Sequence, residues 1–168
     1  MSFKDLKKIK ITIVAGGWSS ERSVSINSGK NVFNTLKKNG YKVLFFDLKK
    51  YNLYELFKSK PDLIFNALHG EFGEDGGISC LAKKYNTPIT HSADISSALC
   101  FNKRLLKKFL KNELNLTSPR ELHEIKKIKF PLIAKPNADG SSKGVKIINN
   151  YKELKKLKID QNTLIEEK

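Results

Sequence analysis

The chain has 168 residues, 39% of them hydrophobic, which is enough to bury the core of one ordinary domain or of two small ones. It contains no run of about 18 apolar residues, and its N-terminal segment is typical of a strand rather than of a signal peptide, so we expect a cytoplasmic protein with no membrane partner. The net charge of +15 suggests nucleic-acid binding as an alternative. However, only three of the 32 basic residues are Arg, and the lysines are scattered without an aromatic stacking platform, so we expect no nucleic-acid partner.

The first half of the chain alternates between predicted strands and helices. β-branched residues predict a strand over Lys8–Ala15, and Ser19 or Ser20 is expected to cap a helix that begins near Glu21 and ends at Gly40. The residues expected on the buried face of this helix are Val24, Ser28, Val32 and Leu36. The later predicted elements are strands at 41–48 and 62–68 and helices at 53–57 and 78–85.

The order of these elements predicts an α/β fold with a doubly wound parallel sheet. The strand at 62–68 is apolar enough to be buried on both faces. In such sheets ligands bind at the carboxyl ends of the strands, and two glycine-rich loops, GGWSSE and HGEFGEDGG, are predicted to lie there.

These two loops combine glycines with side chains that could bind a ligand. The Glu21 carboxylate could hold an ammonium group and the nearby N–H groups a carboxylate, although a plain helix cap would use the same residues. His69 directly follows a strand and is either part of a ligand site or a structural histidine, while Glu74 and Asp75 could cap the next helix. No HxxxH or CxxC spacing supports a zinc site. The residues expected to be reduced and buried are Cys80 and Cys100.

The second half of the chain has a different texture, which predicts a domain boundary near residue 100. Residues 94–114 are predicted to be helical, with Asn102 as a possible cap, and a polar connector is expected at 122–129. The elements predicted after the connector are strands at 130–134, 145–148 and 163–168 and a helix at 151–157.

The loop KPNADGSSKGV joins two of these strands. Lys135 ends a strand, so its ammonium group could reach a phosphate placed over the sheet. Gly140 and Gly144 permit tight turns, and Ser141 and Ser142 add hydrogen-bond donors. This is the chemistry of a phosphate-covering loop, although the Walker A pattern is absent and a solvated hairpin is the alternative.

Together these motifs resemble the D-alanine–D-alanine ligase family of ATP-grasp enzymes along the whole chain. The stretches that carry the resemblance are ITIVAGGWSSERSVSINSG, IFNALHGEFGEDGGI, SALCFNK, FPLIAKPNADGSSKGV and LIEE. The resemblance implies an N-terminal α/β domain of the pre-ATP-grasp type at residues 1–100 and the beginning of an ATP-grasp domain at 101–168. It also implies ATP-dependent ligation of two D-alanines through an acyl phosphate, for peptidoglycan precursor synthesis, with ATP and Mg²⁺ required.

The same resemblance implies roles for single residues. Glu21 would hold the ammonium of the first D-alanine, Val24 would line the same pocket, and His69 would lie near the D-alanine carboxylate or the acyl phosphate. Ser141 would bind on the side of the second D-alanine and connect to Glu21, so Glu21 and Ser141 are the candidate catalytic residues. The residues implied at ATP are Lys103 and Lys135 at the phosphates and Glu166 at the adenine end.

The sequence departs from the family pattern in two respects. The family's segment after LIEE carries the Asp and Glu-x-Asn groups that bind Mg²⁺, so we expect the metal ligands outside this chain. The similar run at 113–119 precedes Lys135 and is a coincidence. His91 and Ala93 replace family glycines, which puts the local loop shape in question.

Two hypotheses therefore remain open. The first is the N-terminal piece of a truncated, split or decayed ligase that is inactive alone, with a homodimer possible. The alternative is a non-catalytic binding or assembly module, or remnant, that needs a separate C-terminal partner chain.

Overall fold

The computed structural model of the protein describes residues 7–122 and 128–168. The chain divides into two compact units between Ala98 and Leu99. Each unit has its own three-stranded sheet. Most of the polar connector predicted at 122–129 lies outside the described residues.

The first unit contains a parallel sheet with the strand order β2–β1–β3. Its strands are β1 (Lys10–Gly16), β2 (Lys42–Leu48) and β3 (Leu63–Asn66). Val14 of β1 pairs with Phe46 of β2 and with Asn66 of β3, and Ile64 forms a further parallel bridge with Ile89. Because the strands are parallel, their carboxyl ends meet at one edge of the sheet.

Helices cover both faces of this sheet, which confirms the predicted doubly wound arrangement. The helices are α1 (Arg22–Lys38), α2 (Leu53–Lys58, after a 3₁₀ turn at Lys50–Asn52) and α3 (Gly77–Lys84). Ile11, Ile13 and Ala15 of β1 form one core with apolar residues of α1. Val14 belongs to a second core with apolar residues of α2 and α3. Since successive residues of a strand point to opposite faces, the apolar run of β1 serves both cores.

The central strand β1 is the most deeply buried, whereas residues 62–68 contribute to the cores on both faces but are buried only in part. Every residue of β1 after Lys10 is buried, because this strand lies between its two neighbours. In contrast, β3 has only four residues, and only Ile64 among them is buried.

The helix α1 begins where predicted, but its cap and its buried face differ from the prediction. The helix begins at Arg22, and the residue at its N-cap is Glu21, which makes no side-chain capping hydrogen bond, rather than Ser19 or Ser20. Val32 and Leu36 face the core as expected, but the buried residues of the first turns are Ser25 and Gly29 rather than Val24 and Ser28. A Cβ atom on Gly29 would come within 2.5 Å of the Ala15 Cβ, so the glycine allows close approach of helix and sheet.

The second unit contains an antiparallel sheet with the strand order β5–β4–β6. Its strands are β4 (Leu132–Pro136), β5 (Lys146–Ile148) and β6 (Thr163–Glu167). The remaining helices are α4 (Asp94–Phe101, across the division), α5 (Lys103–Leu114) and α6 (Tyr151–Lys156). Leu132, Ala134 and Ile148 of the sheet pack with Leu154 of α6. The predicted succession of strand, loop, strand, helix and strand is therefore confirmed.

Local details of the helices decide two further predictions, the cap at Asn102 and the burial of the two cysteines. Asn102 caps α5 as expected, because its side chain accepts a hydrogen bond of 3.1 Å from the Leu105 amide. Cys80 and Cys100 are free thiols, but both are exposed, so their expected burial was wrong. In α3 the buried residues are Ile78, Ser79 and Ala82, and Cys80 lies beside this stripe. No helix of the described residues is long and apolar enough to span a membrane.

Candidate functional site

The carboxyl edge of the parallel sheet is held together by Ser25 in the second turn of α1. Its hydroxyl accepts a hydrogen bond of 2.8 Å from the amide of Gly16, at the end of β1. The same hydroxyl donates a hydrogen bond of 2.8 Å to the carbonyl oxygen of Ala67, just after β3. Ser25 is fully buried, so this one side chain fixes α1 against two adjacent strand ends.

Glu21 and His69 meet at this edge through Ser19. The Ser19 hydroxyl donates a hydrogen bond of 2.6 Å to the His69 carbonyl oxygen and lies 3.2 Å from the Glu21 amide, which donates to it. Glu21 is buried, with only 2% of the residue exposed. Its Oε2 atom lies 3.4 Å from the position that a Cβ atom on Gly70 would take, so the backbone just after His69 lies against the carboxylate.

The His69 ring has a defined orientation at this edge. Its Nδ1 atom lies 3.1 Å from the carbonyl oxygen of Ala67. Since a carbonyl oxygen only accepts, this hydrogen bond requires a proton on Nδ1, and in the neutral ring it leaves Nε2 as an acceptor. Val24, the other residue implied in this pocket, lies in the first turn of α1 with 46% of its surface exposed.

The two loops of this edge are braced by contacts outside the Glu21 position. Arg22 forms a two-pronged ion pair with Asp47, with nitrogen–oxygen distances of 2.7 and 2.8 Å. Trp18 donates a hydrogen bond of 3.0 Å to Glu71, and its ring lies 4.7 Å from that of Phe72. These contacts join the start of α1 to β2, and the loop after β1 to the loop after β3, so several interactions fix this edge.

The glycine-rich loop after His69 is held by Asp75 just before α3 begins. Asp75 accepts hydrogen bonds of 2.9 Å from the amides of Phe72 and Gly77. The N-cap residue is Gly76, so the expected cap by Glu74 or Asp75 is met only in part, by the bond from Asp75 to the first amide of the helix. Neither His91 nor Ala93 takes a positive φ, so the backbone there does not demand the family's glycines.

In the second unit, the start of α5 is tied to the end of β4 through Asn137. Asn137 is buried, accepts a hydrogen bond of 2.9 Å from the Arg104 amide and donates one of 3.1 Å to the Asn102 side chain. The Lys103 ammonium group donates to the carbonyl oxygens of Asp139, at 2.7 Å, and of Asn137, at 3.3 Å. Lys103 is therefore held beside the loop that begins at Asn137.

The pKa of Lys103 lies below its ordinary value. Burial is the main cause, since it disfavours the charged ammonium, and the positive charge of Lys135 lowers the pKa further. The negative charges of Asp139 and Glu166 oppose this effect. The four side chains therefore interact electrostatically within one small region, as expected for a site that binds a charged ligand.

Lys135 and Glu166 face each other on neighbouring strands. Ile133 of β4 is the register partner of Glu166 on β6, so Lys135 lies two residues along on the same face. The Lys135 ammonium group forms an ion pair with Glu166 Oε1, and Lys107 of α5 forms another with Glu166 Oε2. The structure thus brings Lys103, Lys135 and Glu166 together on one side of this sheet.

The loop between β4 and β5 takes its shape from serines as well as from glycine. Gly144 has a φ of +73°, but Gly140 has no positive φ, so only one of the two expected glycine turns is present. Ser141 and Ser142 take the left-handed conformation instead, with φ values of +50° and +54°. Ser141 is exposed in this loop, and its expected connection to Glu21, a residue of the other unit, stays a prediction.

Comparison with known proteins identifies the family. A family profile described as D-ala D-ala ligase N-terminus matches residues 10–61. The D-alanine--D-alanine ligase of Pelagibacter ubique is 42% identical over 174 residues, which cover 94% of this chain and 57% of that protein. The chain belongs to the D-alanine–D-alanine ligase family. It corresponds to the N-terminal portion and spans about half the length of the curated relatives that it matches.

Solved structures of D-alanine–D-alanine ligases have the same fold. The enzyme from Bacillus anthracis gives a TM-score of 0.78 at 33% identity, over 94% of this chain and 57% of that one. The same enzyme complexed with ATP gives a TM-score of 0.71 at 34% identity, over 87% of this chain and 52% of that one. These matches extend beyond residue 61 and therefore include both units of the chain.

The ligase motifs alone do not reveal three residues that the structure places at the site. Ser25 is not predicted because the helical period places the buried face one position earlier, at Val24. Lys107 lies four residues after Lys103 in α5, a spacing that puts both on one helical face and could have revealed it. Asn137 lies inside the KPNADGSSKGV stretch, but nothing in the sequence distinguishes it from a solvated loop residue.

The described residues do not supply a metal site of their own. Among residues 7–122 and 128–168, no three His, Cys, Asp or Glu side chains cluster in a way that could hold a metal ion. Glu166, the buried carboxylate nearest the lysines, already carries two ammonium partners. The donor set here suits the phosphate oxygens of a nucleotide rather than a divalent cation.

Proposed function

We propose that this chain supplies the first D-alanine subsite and part of the ATP site of a D-alanine–D-alanine ligase. The reaction joins two D-alanines to D-alanyl-D-alanine, a peptidoglycan precursor, with conversion of ATP to ADP and phosphate. The observation that carries the proposal is the buried Glu21 carboxylate beside His69 at the carboxyl edge of the sheet. Family membership of the chain supports the same conclusion.

Glu21 is proposed to bind the ammonium group of the first D-alanine. A carboxylate in a largely buried position gains more from an ammonium partner than one in water, because the surrounding dielectric constant is lower. The position just before the first turn of α1 also offers N–H groups of the kind that bind carboxylates. Val24 is proposed to line the same pocket, and the accepting Nε2 of His69 to lie near the D-alanine carboxylate.

The second unit is proposed to bind ATP. Lys103 and Lys135 would contact phosphate oxygens, Glu166 would lie at the adenine end, and Ser141 would bind on the side of the second D-alanine. The clustering of the two lysines with Glu166 supports this assignment. Mg²⁺ would offset phosphate charge in the reaction, and its ligands are proposed to lie outside this chain.

The proposed chemistry proceeds in two steps. A carboxylate oxygen of the first D-alanine takes the terminal phosphoryl group of ATP, which gives an acyl phosphate and ADP. The amine of the second D-alanine then attacks the carbonyl carbon, a C–N bond forms, phosphate leaves, and the amine loses a proton. The lysines stabilise charge on the phosphate oxygens during both steps.

The test of this function measures phosphate release with ATP, Mg²⁺ and D-alanine. The chain alone is expected to show no D-alanine-dependent release. A chimera that continues it with the unmatched C-terminal part of the Pelagibacter ubique ligase is expected to show such release. Robust turnover by the chain alone would contradict the first expectation. If the folded chimera binds ATP but stays inactive, the alternative of a non-catalytic binding or assembly module is favoured.

A further inference from the structure

Glu166 is a buried carboxylate with two ammonium partners. The residue is 1% exposed and lies on β6. Lys135, from β4, pairs with its Oε1 atom, and Lys107, from α5, pairs with its Oε2 atom. One negative charge is thus shared between two positive charges, each on a separate oxygen.

The two lysines are anchored differently. The Lys107 ammonium group also donates a hydrogen bond of 2.6 Å to the carbonyl oxygen of Pro119, so it has two fixed partners. Among the described residues, Glu166 is the ion-pair partner of Lys135. Both lysine side chains are mostly buried, with 17% of Lys107 and 23% of Lys135 exposed. Lys135 therefore loses fewer contacts than Lys107 would when it moves away from Glu166.

A buried carboxylate that loses its only cation is strongly destabilised, because it keeps the desolvation cost without the compensating charge. With Lys107 in place, Glu166 stays paired after Lys135 has moved. Without Lys107, the departure of Lys135 would leave an unpaired buried charge. An incoming anion would then have to overcome this cost.

We propose that Lys107 is a positioning residue that keeps Glu166 paired, so that Lys135 can transfer from Glu166 to a phosphate oxygen of the bound nucleotide. The transfer part rests on the proposed ATP site, whereas the shared pairing of Glu166 does not. Lys107 itself need not touch the nucleotide. Its effect on binding passes through Glu166 and Lys135.

The shared pairing can be tested without ATP. Hydrogen exchange of the β4 and β6 amides is measured for Lys107→Met, Lys135→Met, the double variant, and the double variant with Glu166→Gln. Lys135→Met should raise the opening equilibrium constant only slightly, and the double variant should raise it about tenfold or more beyond the product of the single effects. Adding Glu166→Gln to the double variant should restore most of the lost protection of these amides, because it removes the unpaired buried charge. A double effect equal to the product of the singles would overturn the proposal.

The transfer is tested by the ATP affinity of the chain, measured by calorimetry. Lys107→Met is expected to weaken ATP binding about tenfold, Lys107→Arg to retain most of it, and Lys107→Met in a Glu166→Gln background to add little. The matched control is Lys108→Met, which removes the same charge from an exposed neighbour on α5. Equal losses of ATP affinity in Lys107→Met and Lys108→Met would overturn the proposed transfer of Lys135 to the nucleotide.

The two experiments separate the inference from the proposed function. A wild-type chain that binds no ATP, while the hydrogen-exchange cycle is strongly non-additive, would refute the ATP site and the transfer but support the shared pairing. An additive cycle with normal ATP binding would refute the role of Lys107 and leave the proposed function intact.

Discussion

The hydroxyl group of Ser25 donates a hydrogen bond of 2.8 Å to the carbonyl oxygen of Ala67. This contact joins the helix that follows Glu21 to the strand that precedes His69. Glu21 and His69 are far apart in the sequence. Ser25 holds them at one edge of the sheet, and it can do so without contacting a ligand itself. The stability of the edge should depend on that hydroxyl.

Ser25→Ala should lower the free energy of unfolding by about 2–3 kcal/mol, because it leaves the Gly16 amide and the Ala67 carbonyl without this buried partner. Urea denaturation measures the loss. Ser23→Ala is the matched control, since Ser23 is exposed on the same helix and should change stability by less than about 0.5 kcal/mol. Similar effects of the two variants would show that Ser25 does not hold the edge.

Thr12→Val should raise the free energy of unfolding by about 1 kcal/mol. Thr12 is fully buried in β1, and its hydroxyl has no hydrogen-bond partner among the described residues. Valine keeps the shape and the β propensity but removes the cost of burying that hydroxyl. Thr90→Val is the contrasting variant, because the Thr90 hydroxyl accepts a hydrogen bond of 3.2 Å from the Asn66 amide, and it should destabilise. Thermal unfolding of the two variants should therefore shift in opposite directions.

Substitutions at Glu21 and Lys135 should separate the two substrates in the active chimera. Glu21→Gln is expected to raise the D-alanine KM more than the ATP KM, and Lys135→Ala to do the reverse. Each loss of a charged partner should cost about 2–4 kcal/mol, or roughly 30- to 1,000-fold. Ser141→Ala should cost less, about 1–2 kcal/mol, since a neutral hydroxyl is lost. Steady-state kinetics with each substrate varied in turn is the measurement, and an unchanged ATP dependence in Lys135→Ala would mean that the loop after β4 is only a hairpin.

The lowered pKa of Lys103 predicts a pH-dependent affinity for ATP. Phosphate oxygens near the ammonium group would raise this pKa again, so the complex would bind more protons than the free protein between the two pKa values. ATP binding should therefore take up protons in alkaline solution, and the affinity should fall as the pH rises through the free-protein pKa. Calorimetry in two buffers of different ionisation enthalpy measures the uptake. Lys103→Arg, which stays protonated, should abolish it; persistence of the uptake in that variant would assign it to another group.

Much of the site's layout follows from local sequence signals. The β-branched run of β1 and the glycines that end it predict a strand, and strand–helix alternation predicts a parallel sheet whose carboxyl ends meet. These patterns alone are enough to predict that Glu21 and His69 lie at one edge of the sheet. The cap at Asn102 and the hairpin of β4 and β5 follow from equally local patterns.

Other features depend on contacts between residues that are distant in the sequence. The burial of Ser25 rather than Val24 is decided by where α1 approaches the sheet at Gly29, which a helical period alone does not fix to within one residue. Lys107 and Glu166 are 59 residues apart, and their ion pair arises only because the tertiary fold brings the Lys107 side chain of α5 to the Glu166 side chain of β6. The sequence by itself determined the elements, their order and the family's binding motifs, since these rest on local propensity and spacing. Only the tertiary structure decided which polar groups are buried together, because burial and charge pairing depend on which surfaces the folded chain brings into contact.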